Sequence, residues 1–153
     1  MYLEESEPSE ILPGLWIGGA IGASNPDFFK KNQIQSVLNC TYDLPNFFEE
    51  QGVKYHQLKV NDTLLQKDMV DMFRGLPTAI YWLYDHHDKK KLNVLVHCHQ
   101  GIQRSVTAVV AYLYHTRIKN LEACINHVIK KRNIAYFQGT RCNFIGPLKN
   151  LCK

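Results

Sequence analysis

The chain is predicted to fold as an α/β domain: a small central sheet, mixed but largely parallel, flanked by helices. A phosphate-binding loop sits between the central strand and a buried helix. Three observations predict this. Short strand-like runs alternate with helical patterns over the first hundred residues, and helices cluster afterwards. The apolar run Leu92–Val96 is too short for a helix and is followed at once by a loop. Beyond that loop, Ser105–Thr116 is apolar almost all round, as an interior helix must be.

The elements follow in order. Residues 1–10 are polar and are expected to form a flexible segment ahead of a single domain spanning 11–153. Leu15-Trp16-Ile17, closed by Gly18-Gly19, reads as a short strand. Asn25-Pro26-Asp27 has the chemistry of a helix start and sends Phe28 and Phe29 inward. Gln35–Asn39 is a short, buried strand, Pro45–Gln51 a helical turn stopped by Gly52, and Val53–Val60 another strand ended by Asn61-Asp62-Thr63. Asp68–Asp85 has helical spacing through Met69, Met72, Phe73, Leu76, Ile80 and Leu83. Gly75 and Pro77 within it predict a kink or two shorter helices. Leu92–His97 is the central strand, Leu121–Lys131 an amphipathic helix, and Asn143–Leu151 a last short one.

At 153 residues with a net charge of +4, the chain suits an anionic substrate. It lacks the dense basic surface of a nucleic-acid binding protein, so neither nucleic acid nor membrane is expected as a partner. Lys89-Lys90-Lys91 and Lys130-Lys131-Arg132 read as solvated loop or helix ends. The N-terminus is acidic and has no signal-peptide layout, and no apolar run is long enough for a membrane span. The five cysteines show no paired spacing, which predicts reduced thiols in the cytosol or nucleus. Oligomeric state is not legible.

The chemistry concentrates in His97-Cys98-His99-Gln100-Gly101-Ile102-Gln103-Arg104-Ser105. A lone cysteine is most often a buried structural thiol. Here the company changes the reading. A loop closing on a helix N-terminus presents backbone N–H groups to an anion. Gly101 permits the backbone angles such a loop needs. Arg104 supplies a planar fork that matches phosphate oxygens. The same positive field favours the Cys98 thiolate, a nucleophile. Ser105 is placed to hydrogen-bond the sulfur as well as to cap the helix. His99, Gln100, Gly101, Ile102, Gln103 and Arg104 form the substrate-binding wall. His97 precedes the nucleophile on a strand, so its ring points away from the phosphate and orders the loop. His97-Cys98-His99 lacks a second ligand set at zinc spacing, so no metal and no cofactor are expected. A general acid must protonate the leaving group. Asp43, Asp62, Asp68 and Asp71 are candidates. Asp62, directly after a strand, is preferred, with Asp68 and Asp71 read as helix-start charges.

These residues resemble the dual-specificity branch of the cysteine-dependent protein tyrosine phosphatases, whose signature is His-Cys-x5-Arg-Ser/Thr. The similarity extends to Ile11–Gly18, Val37–Asn39, Tyr55–Asp62, Leu121–Ala123 and Lys131-Arg132. It implies a catalytic domain over 11–153 that hydrolyses phosphotyrosine and phosphoserine/threonine in phosphoproteins, in two steps through a phosphocysteine on Cys98. Two departures stand out. Gln103 occupies a loop position where the family favours a smaller residue, and so either narrows the pocket or holds the attacking water. Phe137-Gln138-Gly139-Thr140 stands where the family has a Pro-Asn step. Competing readings are a phosphoinositide phosphatase, whose loop would carry lysines, an RNA 5′-triphosphatase, and a pseudophosphatase that binds without turnover. The loop residues and the intact Cys98, Arg104 and Asp62 favour the protein phosphatase.

Overall fold

The computed structural model describes residues 7–153. Its order is β1 (Ser9–Leu12), β2 (Leu15–Gly18), α1 (Ala20–Ala23), α2 (Pro26–Lys31), β3 (Ser36–Asn39), a 3₁₀ turn (Glu49–Gln51), β4 (Lys54–Gln57), α3 (Gln66–Leu83), β5 (Val94–His97), α4 (Arg104–Thr116), α5 (Leu121–Lys131) and α6 (Ile145–Leu151). The sheet runs β1-β2-β5-β3-β4; β1 pairs antiparallel with β2 and every other pair is parallel. The mixed, largely parallel sheet matches the expectation, with β5 at its centre. Of the segment expected to be flexible, residues 1–6 lie outside the described residues, whereas Ser9 and Glu10 belong to β1. Pairing with β2 gives the backbone of these polar residues a hydrogen-bonded place that their composition does not announce.

β5 is buried on both faces, which is why it reads as a continuous apolar run rather than an alternation. Val94 and Val96 enter the main core with α4, where every residue from Arg104 to Leu113 is buried. Leu95 enters a second cluster with Phe28, Phe29 and Val37, against which Trp16 and Phe48 pack. Asn25 caps α2 through its side-chain oxygen, which accepts from the N–H groups of Asp27 and Phe28. The end of β5 therefore emerges between two packed layers, and the loop after it is anchored on both sides.

The division into two helices considered around Gly75 and Pro77 does not occur. α3 is one helix of 18 residues, and it runs on through a wide turn over Tyr84–Lys89. Pro77 lies on the exposed face, so the carbonyl it leaves unpartnered at Phe73 can bond water. Gly75 serves packing: a Cβ there would stand 2.4 Å from Leu58 Cδ1. Gly75 lets α3 close onto the chain beyond β4, and so brings the Asn61–Thr63 segment toward the sheet's C-terminal edge. β4 is shorter than expected, yet Leu58 and Val60 beyond it are buried. No helix among the described residues is long and apolar enough to cross a membrane.

Candidate active site

The loop from Cys98 to Gln103 is held from behind. Arg132, at the end of α5, is buried and donates from Nε to the Gly101 carbonyl at 2.8 Å and from Nη2 to the Gln100 carbonyl at 3.2 Å. The Tyr136 N–H donates to the Ile102 carbonyl at 3.0 Å. Successive carbonyls turned outward leave the following N–H groups turned inward, the arrangement of an anion nest. Gly101 N–H indeed donates to Cys98 Sγ at 3.3 Å. Gly101 has φ +71°, and a Cβ on it would stand 2.6 Å from the Arg132 guanidinium. Arg132 corrects the expectation of a solvated basic end: within Lys130-Lys131-Arg132 nothing in the sequence separates the buried cation from its two neighbours.

Cys98 Sγ also lies 3.2 Å from Ser105 Oγ. Burial pushes the thiol up, but the Arg104 charge and the hydrogen bonds from Ser105 and Gly101 outweigh it and hold it below the ordinary thiol value. Arg104 is buried and donates from Nη1 to the Val60 carbonyl at 3.0 Å. Its Nε, also buried, has no hydrogen-bond partner among the described residues. A buried cation with a free donor is costly unless an anion meets it. Arg104→Lys keeps the charge but loses the fork. It is expected to lower kcat/KM on an aryl phosphate roughly tenfold to a hundredfold, the scale of a hydrogen bond to a charged group. Near-normal kinetics would show that charge alone suffices.

His97 is fully buried on the strand face of Leu95, with Nδ1 3.3 Å from the Cys98 carbonyl oxygen. Burial pushes its imidazole down to about 4, a shift the Cys98 carbonyl partly opposes, so the ring is neutral and donates from Nδ1. His99 turns to the rim, where Nε2 meets Asp43 Oδ1 at 2.9 Å.

A cleft of about 220 Å³ opens on Cys98 and Arg104, lined also by Asp62, His99, Ile102 and Phe137. Of the four candidate carboxylates, Asp62 is the one lining it. Asp43 is engaged with His99 at the surface. Asp68 is buried, its Oδ2 accepting from Thr63 N–H at 2.6 Å and Thr63 Oγ1 at 2.5 Å. Asp71 pairs with Lys67 on α3.

Three further residues of the cleft escaped the sequence reading: Phe137, Arg141 and Asn143. Phe137 belongs to a left-handed turn in which Tyr136, Phe137, Gln138 and Gly139 have φ of 50°, 50°, 62° and 86°. Buried Tyr136 anchors it, its hydroxyl 2.5 Å from Thr107 Oγ1 on α4, while Phe137 stays exposed at the rim. The missing Pro-Asn step was the only signal of it. Gln103 also lines the cleft, and its amide turns toward the chain ahead of α6. It is buried, donating from Nε2 to the Arg141 carbonyl at 2.7 Å and accepting from Asn143 N–H at 2.9 Å.

The family model described as "Dual specificity phosphatase, catalytic domain" matches residues 15–150. The chain is 42% identical over 112 residues to dual specificity protein phosphatase Mpk3 of Drosophila melanogaster, covering 72% of this chain and 26% of that protein. It is 38% identical over 151 residues to human dual specificity protein phosphatase 6, covering 95% of this chain and 37% of that one. The chain thus spans about a third of the length of these curated relatives. Among solved structures, human DUSP28 superposes with a TM-score of 0.79 at 19% identity, over 95% of this chain and 92% of that one, a likeness of fold. A match over nearly the whole domain, with the Cys98–Arg104 loop within it, places this chain in the dual specificity phosphatase family.

Proposed function

We propose that the protein hydrolyses phosphotyrosine and phosphoserine/threonine in phosphoproteins through a phosphocysteine on Cys98. The observation that carries this is the convergence of the Gly101 N–H, the Arg104 guanidinium and a thiol of lowered pKa on one cleft that Asp62 also lines. Loop and Arg104 bind the phosphate dianion. Cys98 Sγ attacks phosphorus in line, the P–O ester bond breaks, and Asp62 gives its proton to the departing oxygen. Ser105 Oγ stabilises the sulfur as it later leaves. Water then attacks the phosphocysteine and passes a proton to the Asp62 carboxylate, and phosphate and the thiolate are released. Phosphotyrosine, phosphothreonine, phosphoinositide and RNA 5′-triphosphate substrates, compared by initial rate, test the reading. Turnover of the first two is expected, and rates confined to either of the others would replace it.

A thiolate nucleophile must stay reduced, which favours the cytosol or nucleus. It is also what peroxide attacks first. Asn39 and His97 are register partners, and Cys40 N–H donates to the His97 carbonyl at 2.8 Å, so Cys40 and Cys98 take the next positions on adjacent strands. Parallel strands about 4.8 Å apart put their Cα atoms within disulfide range. Burial and the neighbouring Cys98 hold the Cys40 thiol well above its ordinary value, with Arg104 opposing, which leaves Cys98 as the thiol that peroxide meets as a thiolate. Peroxide is expected to convert the Cys98 thiolate to a sulfenic acid. Cys40 then forms the S–S bond and water leaves. Mass spectrometry should find a Cys40–Cys98 link that dithiothreitol reverses with return of activity. Cys98 sulfinic acid beside an unmodified Cys40 would rule the link out.

A further inference from the structure

Gln103 lies inside the phosphate loop, yet no chemical step uses it. Both ends of its amide are engaged by the Arg141–Asn143 segment: Nε2 donates to the Arg141 carbonyl, and Oε1 accepts from the Asn143 N–H. Asn143 is committed in turn. Its Oδ1 accepts from Arg141 Nε at 3.1 Å, which fixes the amide with nitrogen outward, and its Nδ2 donates to Asp62 Oδ1 at 2.9 Å. A continuous line of hydrogen bonds therefore runs from the loop that holds the phosphate to the carboxylate beside it.

We propose that Asn143 is a positioning residue for Asp62, and that Gln103 sets Asn143 relative to the phosphate loop. The proposal rests on Asp62 as the general acid. The Asp62 segment, Asn61–Thr63, carries no regular structure, and Asp62 itself is only half-buried. A side chain there has freedom to lose, and proton transfer needs it within hydrogen-bond reach of the leaving oxygen. Asn143 Nδ2 occupies Oδ1, which leaves Oδ2 to carry the proton. As the proton departs, negative charge grows on the carboxyl group, and an amide donor already in place stabilises it without reorganisation. Gln103 matters because it ties this geometry to the loop: its buried amide moves with Cys98 and Arg104, so the Asp62 contact is referenced to the bound phosphate. A smaller residue at position 103 has no reach to the 141–143 backbone.

The test compares an alkyl phosphate with p-nitrophenyl phosphate in the full chain. Asn143→Ala is expected to lower kcat on the alkyl phosphate roughly tenfold to a hundredfold, with KM little changed and with p-nitrophenyl phosphate, whose leaving group needs little protonation, nearly unaffected. That second rate also reports a folded enzyme. Gln103→Met, of similar volume but without the amide, should show a smaller loss of the same selectivity. In the Asp62→Asn background, Asn143→Ala should add nothing, since residues acting through one group are not additive. Equal losses on both substrates, or full additivity with Asp62→Asn, would overturn the proposal. If Asp62→Asn is selective for alkyl phosphate and Asn143→Ala has no effect, the positioning role fails and the acid stands. If Asp62→Asn itself leaves alkyl hydrolysis intact, the acid assignment fails and takes this proposal with it.

Discussion

Cys98→Ser is expected to lower turnover on the order of 10⁴-fold or more, the scale of removing a covalent nucleophile, while phosphate-mimicking anions still bind. The two halves of this result come from different atoms. Binding belongs to the loop amides, kept inward by Arg132 and Tyr136, and to Arg104; serine leaves these anchors in place and removes only the sulfur that the Gly101 N–H meets. Turnover belongs to the sulfur. The field that holds the Cys98 thiol below its ordinary value cannot make an alkoxide of a serine hydroxyl near neutral pH. Wild-type activity should accordingly persist as pH falls below the usual thiol range, because a depressed pKa keeps the thiolate populated there. Calorimetry with vanadate alongside a turnover assay checks both halves. A serine variant retaining a tenth of the wild-type rate would sink the covalent mechanism.

Asp62→Asn is expected to cost roughly 10²–10⁴-fold, with the size set by the leaving group. An alkoxide needs a proton to depart and a nitrophenolate scarcely does, so the loss should be largest on phosphoserine and smallest on p-nitrophenyl phosphate. Asparagine preserves the shape and can still meet Asn143, which separates proton donation from packing. Asp68→Asn serves as the contrast. Its buried carboxylate ties Thr63 to the start of α3, so its replacement should lower stability and treat all leaving groups alike. A loss that follows leaving-group basicity in Asp68→Asn, and is absent in Asp62→Asn, would reverse the assignment.

What could be read from the sequence was what is local along it. The strand, cysteine, glycine, arginine and helix of the phosphate loop lie within one short stretch, and each declares its environment by type and spacing. Asp62 was legible as a carboxylate in the break after a strand, although β4 itself stops at Gln57. The parts that escaped come from far along the chain. Arg132 reaches the loop from the end of α5, and in sequence it is one of three consecutive basic residues. Asn143 meets Asp62 only because the chain ahead of α6 folds back across the cleft, and Gln103 read as an intruder because its partners lie on the Arg141–Asn143 backbone. Gly75 and Pro77 misled for the opposite reason: propensity is a local signal, and here the packing of Leu58 against a glycine and the exposure of the proline overrode it.

The left-handed turn at Tyr136–Gly139 has a consequence for how this chain tolerates change. Left-handed geometry costs L-residues about 1–2 kcal/mol each, and three of the four are not glycine. Selection at these positions should therefore be governed by handedness rather than by size or polarity. Gln138→Gly exchanges that cost for a chain-entropy loss of roughly 0.5–1 kcal/mol, so its melting temperature is expected to rise by about 1–4 °C. A library randomised at position 138 and sorted for heat resistance should enrich glycine and asparagine and discard valine and isoleucine. Enrichment of β-branched residues would mean that the turn unwinds freely, and that Phe137 is not held at the rim by its backbone.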